Sequence, residues 1–325
     1  MAIIAGQGAR LQIGKGDTWG QSAAPTKELT FTSESLRYIP NYIEEDALVS
    51  GKASSGMDKS GEKVEGGFGI IAKPDEIGLL VALAMGADSV AGDTSYVHTI
   101  TPVASSSTTS LEPFTIVVDR KVNTFGYTSC KVNQMTAEAS PNDYLRMTFD
   151  VIGYDEDNGD TIDSTLSPST LSAFQFKQGS VEIEDTAIAD VTSFRWTHNN
   201  NMENDRFTMG SGDNMAEIEP QKREITAEVD VLYSSTTDTV RESYFKAGST
   251  AKLEVLFTSG DTVGGNGQYY SIEFEMPLAY IIDASPVVAG PDRITQTLSF
   301  KATEATGTEA ATLTIRNGDT DAYFA

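Results

Sequence analysis

Besides carboxylates, few residues in this 325-residue chain could do chemistry. It holds two histidines, His98 and His198, one cysteine, Cys130, and 47 Asp or Glu against 23 Lys or Arg. A Ser-His-Asp triad would need one of the two histidines. His198 stands beside Asn199, Asn200 and Asn201, at a strand end or loop, and His98 lies in the strand-like Tyr96-Val97-His98-Thr99-Ile100. Both read as ordinary surface or half-buried histidines, and no Gly-x-Ser-x-Gly elbow accompanies them. One cysteine and two histidines leave no ligand set for the common zinc sites, and a lone cysteine closes no intrachain disulfide. Cys130 precedes an alternating strand and reads as a buried apolar residue. Asp155-Glu156-Asp157-Asn158-Gly159-Asp160 has the oxygens for calcium but lacks the downstream bidentate glutamate, and reads as a solvated linker. Gly8 to Lys15 imitates a phosphate loop with one residue too many and no Ser or Thr after the lysine. Gly6-Gln7-Gly8 lacks the third glycine of a dinucleotide turn. With so many acids, some glycosidase-like carboxylate pair is expected by chance and says nothing. The expectation is a chain with no catalytic residue, no cofactor and no metal.

The elements around these residues are mostly strands. Tyr144 to Val151, Val181 to Glu184, Glu224 to Val231 and Ser271 to Glu275 alternate polar and apolar residues, the period of a sheet with one wet and one packed face. Ser, Thr, Gly and Asn clusters separate them, as in antiparallel sheets. Two helices interrupt the pattern. One follows Lys73-Pro74-Asp75-Glu76, with a stripe of Leu79, Leu80, Leu83 and Ala84 and a stop at Gly86. The other starts near Ser235-Thr236-Thr237-Asp238, turns Val240, Tyr244 and Phe245 inward, and stops at Gly248.

The net charge is −24, and it is spread evenly. Residues 1–165 hold 12 basic and 23 acidic residues (−11), and residues 166–325 hold 11 and 24 (−13). That excludes tight binding to the outside of nucleic acid, which needs cations to displace counterions, and docking on anionic membrane. The N-terminus, Met1 to Gly6, lacks the basic flank and apolar core of a signal peptide. The longest nearly apolar run, Ile77 to Ala87, is too short for a bilayer. Synthesis and assembly in a cytoplasm are expected.

The length suggests two domains, and the pattern repeats. Ser35-Leu36-Arg37-Tyr38 resembles Ser193-Phe194-Arg195-Trp196. Pro141-Asn142-Asp143 with its alternating strand resembles Gly290-Pro291-Asp292 with the strand that follows. Arg10 to Gly14 has a weaker counterpart in Phe174 to Gly179. Each half also carries a long polar segment between two strands, Glu44 to Gly61 and Asn199 to Pro220. Such segments do not fold on themselves and are expected to be ordered by a partner. The domains are read as 1–165 and 166–325, joined through Asp155 to Pro168.

Leu36-Arg37-Tyr38-Ile39-Pro40-Asn41, the acidic Gly/Ser/Lys-rich loop after it, Val64-Glu65-Gly66-Gly67-Phe68 and the Pro74-Asp75-Glu76 helix follow one another in order. Phe125 to Asn133 and the Pro141 to Tyr154 strand come after them. In order and character this chain resembles the tail tube (major tail) proteins of long-tailed bacteriophages, in a large form with a duplicated tube domain. The resemblance covers nearly the whole chain and rests on the order of diffuse motifs. It implies two tandem β-sandwich domains, each flanked by one helix, that close into a ring β-barrel on oligomerisation. Two domains per chain imply trimeric rings of pseudo-six-fold symmetry, with hexameric rings as the alternative. The rings stack into a virion tail tube that meets a tape measure protein, a tail terminator and baseplate or tip proteins. DNA passes through the lumen without specific binding. Strand acids that would line such a lumen are Asp150, Glu224, Glu228, Asp230, Glu273 and Glu275. Inter-ring candidates are Glu44, Glu45, Asp46, Lys52 and Lys59 in the first long segment and Asn201, Glu203, Asp205, Arg206 and Asp213 in the second. The rival readings are another β-rich virion ring or decoration protein, a surface adhesin, and a carboxylate hydrolase.

Overall fold

The computed structural model describes residues 6–46, 56–104, 111–265, 267–288 and 290–324. The chain is mainly β and antiparallel throughout its ladders. The first half contributes β1 (Arg10–Lys15), β2 (Lys27–Leu29), β3 (Phe31–Glu34), β4 (Arg37–Glu44), β5 (Met57–Ile71), helix α1 (Ile77–Met85), β6 (Gly86–Gly92), β7 (Tyr96–Pro102), β8 (Phe114–Asp119), β9 (Thr124–Ala139), β10 (Arg146–Gly153) and β11 (Asp155–Asn158). The second contributes β12 (Gly179–Ile183), β13 (Thr186–Ala187), β14 (Val191–Asn199), β15 (Glu224–Leu232), helix α2 (Ser235–Val240), β16 (Thr250–Val263), β17 (Gln268–Asp283), β18 (Pro286–Val287), β19 (Thr295–Ala302) and β20 (Thr312–Asn317). No helix among the described residues is long and apolar enough to cross a membrane.

The ladders of the first half run β1-β8-β9-β10-β5, with β3 and β4 successively on the far side of β5. Those of the second run β12-β16-β17-β19-β15-β14. The orders correspond strand for strand, and each half has its helix at the same place, α1 after β5 and α2 after β15. The counterpart of β1 is therefore β12. The expected Phe174 to Gly179 instead includes a short 3-10 turn, Phe176–Gln178. Ladder partners also make Trp196 equivalent to Leu36, two residues away from the pairing that sequence similarity suggests and on the same face.

Among the described residues, two strand ladders stitch the halves together. The end of β9 pairs with β14 from Gln134↔Asn199 to Ala139↔Phe194, and this ladder is the seam between the halves. At the other end of the chain, β20 lies between β17 and β7. The main apolar core therefore holds residues of both halves, from Leu11 to Ile315. The expected linker is also different. Asp155–Asn158 form β11 against β9, and the following residues are pinned to the first half: Asp163 by Gln12, Ser169 by Glu76 and Phe174 by Ala72.

Both helices correct their sequence reading in detail. All nine residues of α1 are buried, so it carries no stripe with a wet back. Pro74 and Asp75 lie in the turn before it, and the Glu76 carboxylate accepts from Thr30 and Ser169. Gly86 ends the helix at φ 96°, where a side chain would be strained. For α2 the cap is Ser234, one residue earlier than expected, paired reciprocally with Thr237. The helix continues as a π turn, Arg241–Phe245, which packs Tyr244 and Phe245 against the core.

Candidate functional site

The strands β5, β10, β9, β14, β15 and β19 form one uninterrupted ladder across the seam. Their period of two puts the residues between the core positions on a single face. Cross-strand partners arrange that face in rows. Gly69, Thr148, Thr136, Thr197, Thr226 and Lys301 form one row, each paired with the next. Glu138, Arg195, Glu228 and Ser299 form the next. Gly67, Asp150 and Gln134 continue into Asn199 and Glu224. These rows thus hold threonine, serine, glycine, amide and acidic residues with two cations, Arg195 and Lys301, and no large apolar side chain interrupts them.

Its charges are biased. Arg195 lies 3.3 Å from Glu138, Lys301 is paired with Glu224, and Arg146 is held 2.9 Å from Asp143. Asp150 and Glu228 have no ion-pair partner among the described residues. Asp230 accepts from Ser193 Oγ at 2.6 Å and Thr297 Oγ1 at 2.5 Å. Burial pushes the Asp150 carboxyl above its usual range. A Cβ on Gly67 would come within 2.6 Å of the Asp150 carboxylate, so glycine there leaves room for the acid.

Four of the six strand acids, Asp150, Glu224, Glu228 and Asp230, share this face. Glu273 and Glu275 do not. They lie on the part of β17 between β16 and β20, with Glu275 opposite Glu254 and Glu254 opposite Glu182. Lys252 sits 2.7 Å from Glu254 and 3.6 Å from Glu275. Burial, then the like charges of Glu254 and Glu275, pushes the Glu273 carboxyl up. Sequence reasoning missed Glu138, Arg195 and the threonine row. The signal was present in β9, where Gln134, Thr136 and Glu138 alternate with Met135, Ala137 and Ala139.

The two long segments behave differently from each other. In the first, the described residues Glu44 and Met57 to Gly61 are strand, because β4 and β5 pair out to Glu44↔Met57. Lys59 therefore belongs to β5, where its ammonium bonds to Glu62, which also accepts from Tyr38. That carboxylate holds the Lys59 ammonium above its ordinary range. Glu44, Glu45 and Asp46 are exposed near the hairpin's end, with Tyr42, Ile43 and Met57. Lys52 lies outside the described residues. The second segment, expected to await a partner, is seated on the first half of its own chain. Met202, Met215 and Ile218 join Val103, Leu111 and Ile152 in a second small core. Lys131, fully buried, gives its ammonium to Glu217 at 2.8 Å and to the Ile218 carbonyl at 3.0 Å. Lys63 reaches the Asn204 carbonyl, and the Asp213 carbonyl accepts from the Glu62 backbone. Asn201, Glu203, Asp205, Arg206 and Asp213 ride on this seated segment. Its three apolar anchors are too widely spaced to show any period in the sequence.

Neither histidine is a surface residue. His98 is buried with Nδ1 3.2 Å from Asp88 and its ring stacked on Tyr323. His198 is buried in the seam opposite Met135. Burial also raises the Cys130 thiol well above its usual range, which leaves it unreactive.

Comparison with known proteins adds two findings. A family model described as "Phage tail tube protein" matches residues 6–302. No curated protein matches the chain.

Proposed function

From the membership of this chain in the phage tail tube protein family, a family of structural virion tail components, we propose that it polymerises as stacked rings into a tube whose inner wall is the face that crosses the seam. The observation that carries this reading is the continuity of that face through both halves. Strand order is the same in each half, so a chain supplies two equivalent barrel segments. Three chains then make a pseudo-six-fold ring, and the unpaired strand edges disappear on closure. Stacking of such rings is heterologous and does not close, which yields a tube. The β4–β5 hairpin and the seated segment 199–220 project from the ladder and meet the neighbouring ring. A tape measure protein inside the tube, and terminator and tip proteins at its ends, complete the tail.

The wall's chemistry suits a conduit for DNA. Along β10, β9, β14, β15 and β19 the face has five carboxylates, Asp150, Glu138, Glu224, Glu228 and Asp230. Apart from Arg146, which Asp143 holds, and Lys131, which is buried under the seated segment against Glu217, it has two cations, Arg195 and Lys301, a balance of −3 per chain. Each cation already has a carboxylate, so a passing phosphate finds repulsion and no free cationic stopping point. The test is electron microscopy of the purified chain, then Glu228→Lys with Asp230→Lys, which moves the balance from −3 to +1. Hollow tubes and a salt-dependent retention of DNA by the double variant are expected. Discrete particles would refute the tube, and tubes of the double variant that pass DNA unimpeded would refute the acidic wall.

A further inference from the structure

We infer that the stretch Asp283 to Val288 is an open strand edge that takes β3–β4 of a second copy of this chain, Glu34 to Ile39, in the same way that β9 takes β14 within one chain. The inference rests on the ring reading above and names its contact.

The equivalence comes from the ladders. Between β9 and β10 the partners jump from Gln134 to Val132 at Asp150/Val151. Between β17 and β19 they jump from Asp283 to Ile281 at Ser299/Phe300. Further along, Ala137 pairs with Met147 as Pro286 pairs with Gln296. The bulge and the register both repeat, so Gln134 to Ala139 corresponds residue by residue to Asp283 to Val288. In the first half this stretch is covered by β14. In the second, β16 covers β17 only as far as Tyr280, and nothing among the described residues pairs with the edge beyond it. Ile282, Val287 and Val288 stand 56%, 60% and 71% exposed there. An exposed apolar strand edge of this kind is a template for another strand.

The strand that fits it is identified by the same correspondence. Phe194 to Asn199 in β14 matches Glu34 to Ile39, since Thr197 faces Thr226 as Arg37 faces Glu65. Among the described residues β3 and β4 pair only with β5, so no strand covers their outer edge. The transposed register puts Leu36 opposite Pro286 and Ser35 opposite Val287. Proline has no N–H to give, and the Leu36 carbonyl needs none, because Arg120 at 2.8 Å and Tyr127 at 3.1 Å already donate to it. The Leu36 N–H, held by Glu34 in the single chain, is free to move to the Pro286 carbonyl. The two edges lie on different halves, so the contact is head-to-tail and builds a ring.

The test uses the full chain with Ser35→Cys and Val287→Cys. These positions correspond to Arg195 and Glu138, a cross-strand pair whose side chains meet at 3.3 Å. The within-chain pair Arg195→Cys with Glu138→Cys is the positive control. After mild oxidation with diamide, the test pair is expected to give reducible covalent oligomers that end at one closed ring size, while each single variant stays a monomer in denaturing gels. Tubes that form without any cross-link would overturn this contact and leave the tube reading intact. Neither tubes nor cross-links would overturn both. If the double variant does not fold, Val287→Lys replaces it. Loss of assembly with an unchanged unfolding midpoint supports the edge, and undiminished assembly overturns it.

Discussion

Protonation of His198 should loosen the seam between the two halves. Its Nε2 lies 3.1 Å from Asn200 Oδ1. Both Nδ2 protons of Asn200 go to carbonyls, those of Ala84 at 2.8 Å and Val132 at 2.9 Å. The amide oxygen therefore accepts, and Nε2 must carry the ring proton. Nδ1 is buried without a partner, so a second proton there would be a buried charge with no acceptor. Burial, with a smaller contribution from the positive charge of Arg223, pulls the imidazole down to about 4 against the help of Asn200. In the unfolded chain the ring titrates near about 6.5. As pH falls the unfolded state takes up the proton first, so stability declines from about pH 6.5 and levels off below about pH 4. The full interval is worth about 3 kcal/mol, of which about 2.5 kcal/mol is lost by about pH 4.5. Urea unfolding of the parent chain and of His198→Gln, at about pH 7 and about pH 4.5, isolates this effect. Glutamine still donates to Asn200 but does not titrate, and the carboxylates common to both proteins cancel. The parent should lose about 2–3 kcal/mol more than the variant. Parallel losses, within about 0.5 kcal/mol, would refute the assignment of tautomer and burial.

His98 should show the opposite slope. Burial works against its charge, but Asp88 and the Asp319 carbonyl outweigh it and raise the ring. Its contribution is complete below about pH 6.5 and fades as pH rises through the folded-state value, and Asp88→Asn should flatten that slope in a histidine NMR titration. Gly66→Ala should cost about 2–3 kcal/mol in thermal unfolding, since φ is +144° and a Cβ would meet the Ser35 carbonyl at 2.5 Å. Lys131→Met should cost about 1–3 kcal/mol, because the Ile218 carbonyl loses its buried donor. It should also expose residues 203–217 to limited proteolysis, and unchanged cleavage would count against the seating role of Lys131.

The legible part of this protein was local. Alternation in Glu224 to Val231 or Tyr144 to Val151 is visible because one face of each strand is wet, and the same period picked out four acids that share one surface. The π turn after α2 and the all-round burial of α1 were not legible, since nine apolar residues look alike whether one face or every face is covered. Membership in the tail tube family rested on the order of motifs, and the family match bears it out.

Sequence alone determined strand content and the excess of acid, because these depend on neighbours a few residues apart. Tertiary structure alone decided which strands meet. The β9–β14 seam, the return of β20 to β7, the burial of both histidines and the seating of Met202, Met215 and Ile218 join residues far apart in the chain. Such contacts follow from total buried area and satisfied hydrogen bonds over the whole molecule, and no local period records them.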